Sequence, residues 1–407
     1  VWALNDPLDA KNTQQESGKD GKILVVVQLS GGNDGLSTIV PYGDDIYNRL
    51  RPGLAIPKKD ILRIDDYLGL NPNLKGLYGM LDSQQLCIIQ GVGYPNPNRS
   101  HFRSMDIWHS AHPEKEFTTS GWIGRYFDNA CEGADPHVGV SIGDTMPLSM
   151  QGDRLTPLSF ERPDTYQYKG NDRDRYLELN QAEKGKIPVT DIVKPPVRSG
   201  LAKRQEPAAA TAASQLDFLE RTAMDAQVSS DDILRMTREH RPSVDYPGNE
   251  FGNGLKTIAA MIAGGLSTRV YYVSLGGFDT HAGQRGRHDQ LMQQFSEGVA
   301  AFWKDMENQK NDQRVLMMSF SEFGRRVQQN ASNGTDHGAA APMFLMGPAI
   351  RKNNFGKHPS LADLDQGDLK YNVDFRSVYA TVLEEWLETQ SKPILGQSFK
   401  TLPILKA

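Results

Sequence analysis

The run Ile23-Leu24-Val25-Val26-Val27-Gln28-Leu29, followed at once by Ser30-Gly31-Gly32-Asn33-Asp34-Gly35, decides the fold. A short, almost unbroken stretch of β-branched and aliphatic residues reads as a strand buried on both faces, the kind that parallel sheets contain. Further apolar runs of this kind recur at Leu86 to Val92, Val138 to Ile142, Arg269 to Leu275, Val315 to Phe320 and Met343 to Met346. Between them the apolar period lengthens to that of helices, first at Leu255, Ile258, Ala259, Ile262 and Leu266, then at Leu291, Phe295, Val299, Phe302 and Met306. Near the end, Phe375, Val378, Tyr379, Val382, Leu383, Trp386 and Leu387 form one continuous stripe, with Asp374 placed to cap its start. Strands alternating with helices in this way predict an open α/β sandwich.

Outward from that frame, residues 1–22 read as a flexible polar lead-in and residues 23–407 as a single α/β domain. The stretch 155–249 is rich in charge, Pro and Ala, contains Pro195-Pro196, and reads as an insertion or cap beside the sheet. The formal charge of -5 comes from interspersed acids and bases. With no basic stripe, nucleic acid is not an expected partner, and with no apolar run of ~18 residues neither is membrane insertion. Cys87 and Cys131 are the only cysteines, too few for a disulfide framework or thiolate cluster, and are expected to remain thiols. The opening at Val1 without a methionine is expected of a processed chain.

In open α/β sheets ligands bind beyond the carboxyl ends of the strands, so the polar residues after each apolar run carry the chemistry. The glycines after the first strand permit a tight turn and leave Asn33 and Asp34 as oxygen ligands for a cation. Taken alone, Asn33, Asp34 and Gly35 are ordinary turn formers, and it is recurrence that changes the odds. Gly276-Gly277-Phe278-Asp279-Thr280-His281 repeats the pattern with a carboxylate and an imidazole two residues apart, a pair suited to Zn²⁺ or Mn²⁺. Ser321-Glu322-Phe323-Gly324-Arg325 adds an acid and a guanidinium able to grip an oxyanion, and Gly334-Thr335-Asp336-His337-Gly338 precedes the Met343 strand. The nucleophile candidate is Ser100, in Asn96-Pro97-Asn98-Arg99-Ser100-His101-Phe102, where a helical stripe of Phe102, Met105 and Trp108 begins. A helix N-terminus stabilises an anion, although a serine there also serves as a plain N-cap.

Two patterns are set aside. Gly139-Val140-Ser141-Ile142-Gly143 matches a nucleophile elbow, but Asp144, Met146 and Pro147 follow where a helix is required. His109 and His112, one helical turn apart, read as part of a solvated face. His288, at the start of an amphipathic helix, is a rival to His281 as ligand.

Gly31 to Gly35, Ser100-His101-Phe102, Gly277 to His281, Ser321 to Arg325, Gly334 to Gly338 and Asp374-Phe375-Arg376-Ser377, in that order, resemble the bacterial domain-of-unknown-function family 1501. Its members resemble the alkaline phosphatase and sulfatase superfamily. The resemblance implies a three-layer α/β/α sandwich with a mostly parallel central sheet and a site holding one or two divalent metal ions, Zn, Mn, Mg or Ca. It implies that Asp34 and Glu322 bind one ion with Ser100 bridging to substrate, while Asp279, His281 and His337 bind the other, with Asp336 on the same rim. Phe323 after Glu322 leaves one site short of an imidazole, and the residues after Ser100 do not fit a formylglycine nucleophile. Members usually carry an export signal, which implies a periplasmic or extracellular protein.

The resulting expectation is a secreted metal-dependent hydrolase of small-molecule or carbohydrate phosphate or sulfate esters. Ser100 is its nucleophile, His101 and Arg325 are catalytic beside it, and Arg325, Arg99 or Arg103 neutralises charge. The alternatives are a non-catalytic exported binding protein with a degenerate metal site, and a metal-dependent phosphoryl mutase.

Overall fold

The computed structural model describes residues 21–131, 134–165 and 230–406. Residues 1–20 of the expected lead-in and most of the expected insertion lie outside these. Two compact units divide the chain, Val1–Glu161 with Glu239–Ala407, and Arg162–Arg238. The first contains the sheet and the candidate site.

The quoted run forms strand β1 (Ile23–Ser30), buried through Leu29. A short three-stranded sheet beside it joins β2 (Ile39–Val40), β3 (Leu62–Arg63) and β4 (Gly69–Leu70). The main sheet adds β5 (Leu86–Gly93), β6 (Gly139–Ile142), β7 (Leu158–Phe160), β8 (Val270–Gly276), β9 (Val315–Phe320), β10 (Ala341–Met346) and β11 (Asn354–Phe355). β12 (Leu364–Asp365) and β13 (Asp368–Leu369) form a hairpin, and β14 (Val373–Asp374) pairs with β5. The nine-stranded sheet runs β11-β5-β10-β9-β1-β8-β6-β7 with β14 off that path. β1 is parallel to both β8 and β9, and β10 alone is antiparallel to its neighbours β5 and β9. Reversal of β10 has a direct consequence for the site: the loop that precedes it, rather than the one that follows, shares an edge with the ends of β1, β5, β8 and β9.

Around the sheet lie α1 (Gly35–Thr38), α2 (Asp45–Leu50), α3 (Lys75–Asp82), α4 (His101–Ser110), α5 (Trp122–Ala130), α6 (Glu250–Ala263), α7 (Gln284–Gln309), α8 (Phe375–Thr381) and α9 (Ser391–Leu395). Strand residues alternate between two covered faces. Leu24 and Val26 join Trp108 of α4, Trp122 of α5 and Val378 of α8 in one core. On the other face Phe344 of β10 meets Phe295 of α7, with ring centroids 6.1 Å apart. The architecture is therefore a three-layer α/β/α sandwich with a mostly parallel sheet. Each aliphatic or aromatic side chain fully buried in these layers stabilises the fold by ~1.5–3 kcal/mol.

Three expectations need correction. The buried face of α4 is Ser104, Ile107 and Trp108, and Phe102 is 87% exposed, because the helix is rotated by about one residue from the expected stripe. His109 and His112 are buried rather than solvated. His109 Nε2 lies 3.3 Å from Gln28 Oε1 and 3.2 Å from the Tyr272 hydroxyl, and burial pulls its pKa down to about 3. The stripe starting at Phe375 is not one α-helix: it loosens into a π-helix at Val382–Trp386, which keeps Leu383 and Trp386 facing the core. Asp374 does cap it, accepting from the Arg376 backbone N–H at 2.9 Å.

Candidate functional site

Glycine is required where the edge loops cross. Gly31 has φ +116°, and a Cβ there would stand 2.5 Å from the Asp279 backbone nitrogen. At Gly334 a Cβ would stand 2.2 Å from the carbonyl carbon of His281. A backbone bridge between Arg325 and His337 ties the loop after β9 to the loop before β10. These close approaches bring the β8, β9 and β10 loops together beside the start of α4.

Asp279 is the point of convergence. Its Oδ1 accepts from Arg325 Nη2 at 2.9 Å and faces His281 Nε2 at 3.0 Å and His337 Nε2 at 3.2 Å. Its Oδ2 faces His101 Nε2 at 3.4 Å. Suitable ligand atoms of His101, Asp279 and His337 all lie within 4.8 Å of one another. The two Nε2 atoms of His281 and His337 are 2.9 Å apart. Partial burial raises the Asp279 pKa, but the hydrogen bond and charge of the Arg325 guanidinium outweigh it and hold the group at about 2.

The outer ring nitrogens are already committed. His101 Nδ1 donates to Glu322 Oε1 at 3.0 Å, and His337 Nδ1 donates to the Arg99 carbonyl at 2.7 Å. A histidine that donates through Nδ1 presents a lone pair at Nε2 when neutral. Both lone pairs are aimed at an ionised carboxylate, an arrangement that repels unless positive charge stands among the atoms. His101 Nε2 is buried and has no hydrogen-bond partner. Ligands held ~2.0–2.1 Å from one tetrahedral zinc lie ~3.3 Å apart, close to the 3.2 and 3.4 Å that separate Asp279 from His337 and His101. The residues therefore fit a divalent ion of nitrogen and oxygen preference.

The other expected ligands stand apart from this cluster. Asp34 is buried, with Oδ2 accepting from Arg51 Nη1 at 2.5 Å, Gln284 Nε2 at 2.5 Å and Ser37 Oγ at 2.7 Å. Burial raises its pKa, yet the Arg51 guanidinium overrides this and holds the carboxyl far below the usual range. Asn33 Oδ1 accepts from Thr38 Oγ1 at 3.0 Å and meets His288 Nε2, also at 3.0 Å. His288 thus spends Nε2 on the β1 loop, which Asn33 and Asp34 organise, and lies apart from His281 and His337. Glu322 accepts the Gly31 N–H at 2.8 Å as well as meeting His101 Nδ1, which places it behind the His101 ring. Asp336 Oδ1 lies 3.3 Å from His281 Nδ1 on the outer side of that ring.

Arg325, expected to grip an oxyanion, has its guanidinium engaged inside the scaffold. Its side chain is fully buried and donates to the carbonyls of Gly31, Gly32, Phe278 and Thr335 as well as to Asp279. Arg103 is likewise committed to the carbonyls of Pro113, Lys115 and Glu116, and Arg99 to Asp368. Ser100 is the N-cap residue of α4, exposed, and its side chain makes no capping bond. Sequence reasoning missed Arg51 altogether, since nothing local distinguishes a buried arginine from a surface one. It placed His101 with the catalytic group, and the structure brings His101 within reach of Asp279 and His337.

Three of the solved structures similar to this chain share 8–10% identity with it. One is a protein in the alkaline phosphatase superfamily from Vibrio parahaemolyticus, 8% identical, with 94% of this chain and 70% of that one covered and a TM-score of 0.38. Another is the C-terminal periplasmic domain of EcEptC from Escherichia coli in complex with Zn, 10% identical, covering 82% and 74% with a TM-score of 0.37. A third is the PsFucS1 sulfatase from Pseudoalteromonas sp., 10% identical, covering 95% and 71% with a TM-score of 0.37. No curated protein matches the chain. Among the described residues no helix is long and apolar enough to cross a membrane. A family match extends over residues 87–387 and takes in His101, Asp279, His281, Glu322 and His337, so the chain belongs to the family described as Protein of unknown function (DUF1501).

Proposed function

We propose that this chain is an exported, metal-dependent hydrolase of phosphate or sulfate esters with Ser100 as nucleophile. The observation that carries the reading is the convergence of His101, Asp279 and His337, whose ligand atoms lie within 4.8 Å of one another. A divalent ion held there supplies charge against the anionic ester and favours the deprotonated form of a nearby oxygen nucleophile. Glu322 and the Arg99 carbonyl hold His101 and His337 in the tautomer that offers Nε2. Arg325 keeps Asp279 ionised and aimed.

Ser100 opens the ten-residue helix α4, whose unpaired N–H groups and dipole favour negative charge. In the proposed reaction Ser100 Oγ forms a bond to phosphorus or sulfur while the bond to the leaving oxygen breaks. The serine proton passes to solvent, which also protonates the leaving group. Water then attacks the seryl ester, releases phosphate or sulfate and returns the proton to Ser100. Arg325, buried in the scaffold, takes no part in binding the ester.

The test is a panel of aryl phosphate monoesters, diesters and sulfates, together with sugar esters, assayed before and after verified chelation. Activity should vanish on stripping and return with Zn²⁺ or Mn²⁺. Unchanged turnover in stripped protein rules the proposal out. The export component rests on the family resemblance, and finding the protein in the cytoplasmic fraction of its native host would overturn that part.

A further inference from the structure

The polar side chains at this sheet edge sort into two groups that differ in what already neutralises them. Around Asp34 the compensation is internal: both its side chain and that of Arg51 are fully buried, and Ser37 and Gln284 take further carboxylate lone pairs. Glu322 has Oε1 shared between Gly31 and His101, and Oε2 3.2 Å from Ser321 Oγ. Asp34 Oδ1 accepts from the Leu36 N–H at 3.2 Å, so neither oxygen of that acid is left for an ion, and Glu322 is buried with Oε1 fully engaged. Around Asp279 the reverse holds, because its imidazole neighbours turn lone pairs inward and the buried His101 Nε2 has no hydrogen-bond partner. Arg325 satisfies part of Asp279 but donates most of its N–H groups to backbone carbonyls.

We infer that this site holds one cation and not two. His101, Asp279 and His337 bind it with His281 beside them, and Arg51 supplies a fixed positive charge at Asp34 where a second ion would otherwise stand. The inference rests on the metal-dependent reading above and narrows it. It also assigns Glu322 as a positioning residue that acts through His101, in the way a carboxylate behind a metal-bound histidine sharpens its direction and basicity.

The experiment is titration of Zn²⁺, and separately Mn²⁺, into chelator-stripped full chain, followed by calorimetry and by equilibrium dialysis with elemental analysis. Wild-type protein should bind one equivalent. Two equivalents at sites of comparable affinity overturn the inference and leave the metal-dependent reading standing, whereas no saturable binding overturns both. Asp279→Ala should abolish saturable binding. Glu322→Gln should keep the stoichiometry of one while weakening affinity ~10–100-fold. Unchanged affinity in Glu322→Gln, or complete loss of binding in a protein whose near-UV circular dichroism is native, overturns its positioning role. Asp34→Asn, where it folds by the same criterion, should still bind one equivalent, and loss of that equivalent counts against the assignment.

Discussion

Ser100, Asp34 and Arg51 show how differently polar side chains at one edge behave. Ser100→Ala should abolish ester turnover while metal content stays at the wild-type level, checked by assay beside elemental analysis; full retained activity removes Ser100 from the scheme. Asp34 makes the opposite kind of prediction, about stability. Removing one member of a buried ion pair strands the other, so Asp34→Asn or Arg51→Met should cost ~3–5 kcal/mol in urea unfolding. Because the Asp34 pKa is lowered in the folded chain, its contribution is fully present above the unfolded value near 3.8 and declines as pH falls below that. The difference in urea midpoint between wild type and Asp34→Asn should hold steady from pH 7 to 5 and narrow progressively below about pH 4. Asp34 was visible as a polar group after an apolar run, but its contact with Arg51, seventeen positions away, was not.

At the level of elements, the strands and long helices were legible because their apolar periods are unambiguous. β9 matches the expected Val315 to Phe320 run, and β1, β5 and β8 depart from theirs by a residue at one or both ends. The rotation of α4 was not legible. Phe102, Met105 and Trp108 share a helical face in isolation, but Trp108 stacks 5.5 Å from Phe320 and 4.5 Å from Phe375, and those partners set which face turns inward. Loop crossings are decided the same way. Gly334→Ala would drive a methyl group into the His281 backbone, and we expect a loss of ~1–3 kcal/mol by thermal or urea unfolding together with weaker metal binding. A native melting curve for this variant contradicts the packing account. At the start of α8, Asp374→Ala should cost about 1 kcal/mol through the lost cap, read from the urea midpoint.

For the whole molecule, a site built from loops after β8 and β9, before β10 and at the start of α4 links metal binding to folding. An ion present at ~100 times its dissociation constant should add about 2.7 kcal/mol to stability, so chelation should lower the melting temperature and readdition of Zn²⁺ or Mn²⁺ should restore it. Identical melting curves with and without chelator would show that no ion binds preferentially to the folded chain. The family motifs, the alternation of strand and helix and the collection of Asp279, His281 and Glu322 at one sheet edge were determined by the sequence alone, because periodicity and strand-end position are local properties. Tertiary structure alone decided that β10 runs against its neighbours, that Arg51 neutralises Asp34, that Glu322 supports His101, and that Arg325 braces backbone carbonyls. Those outcomes depend on which buried charges and lone pairs meet across distant segments, and electrostatic compensation in a buried site is a property of the assembled fold.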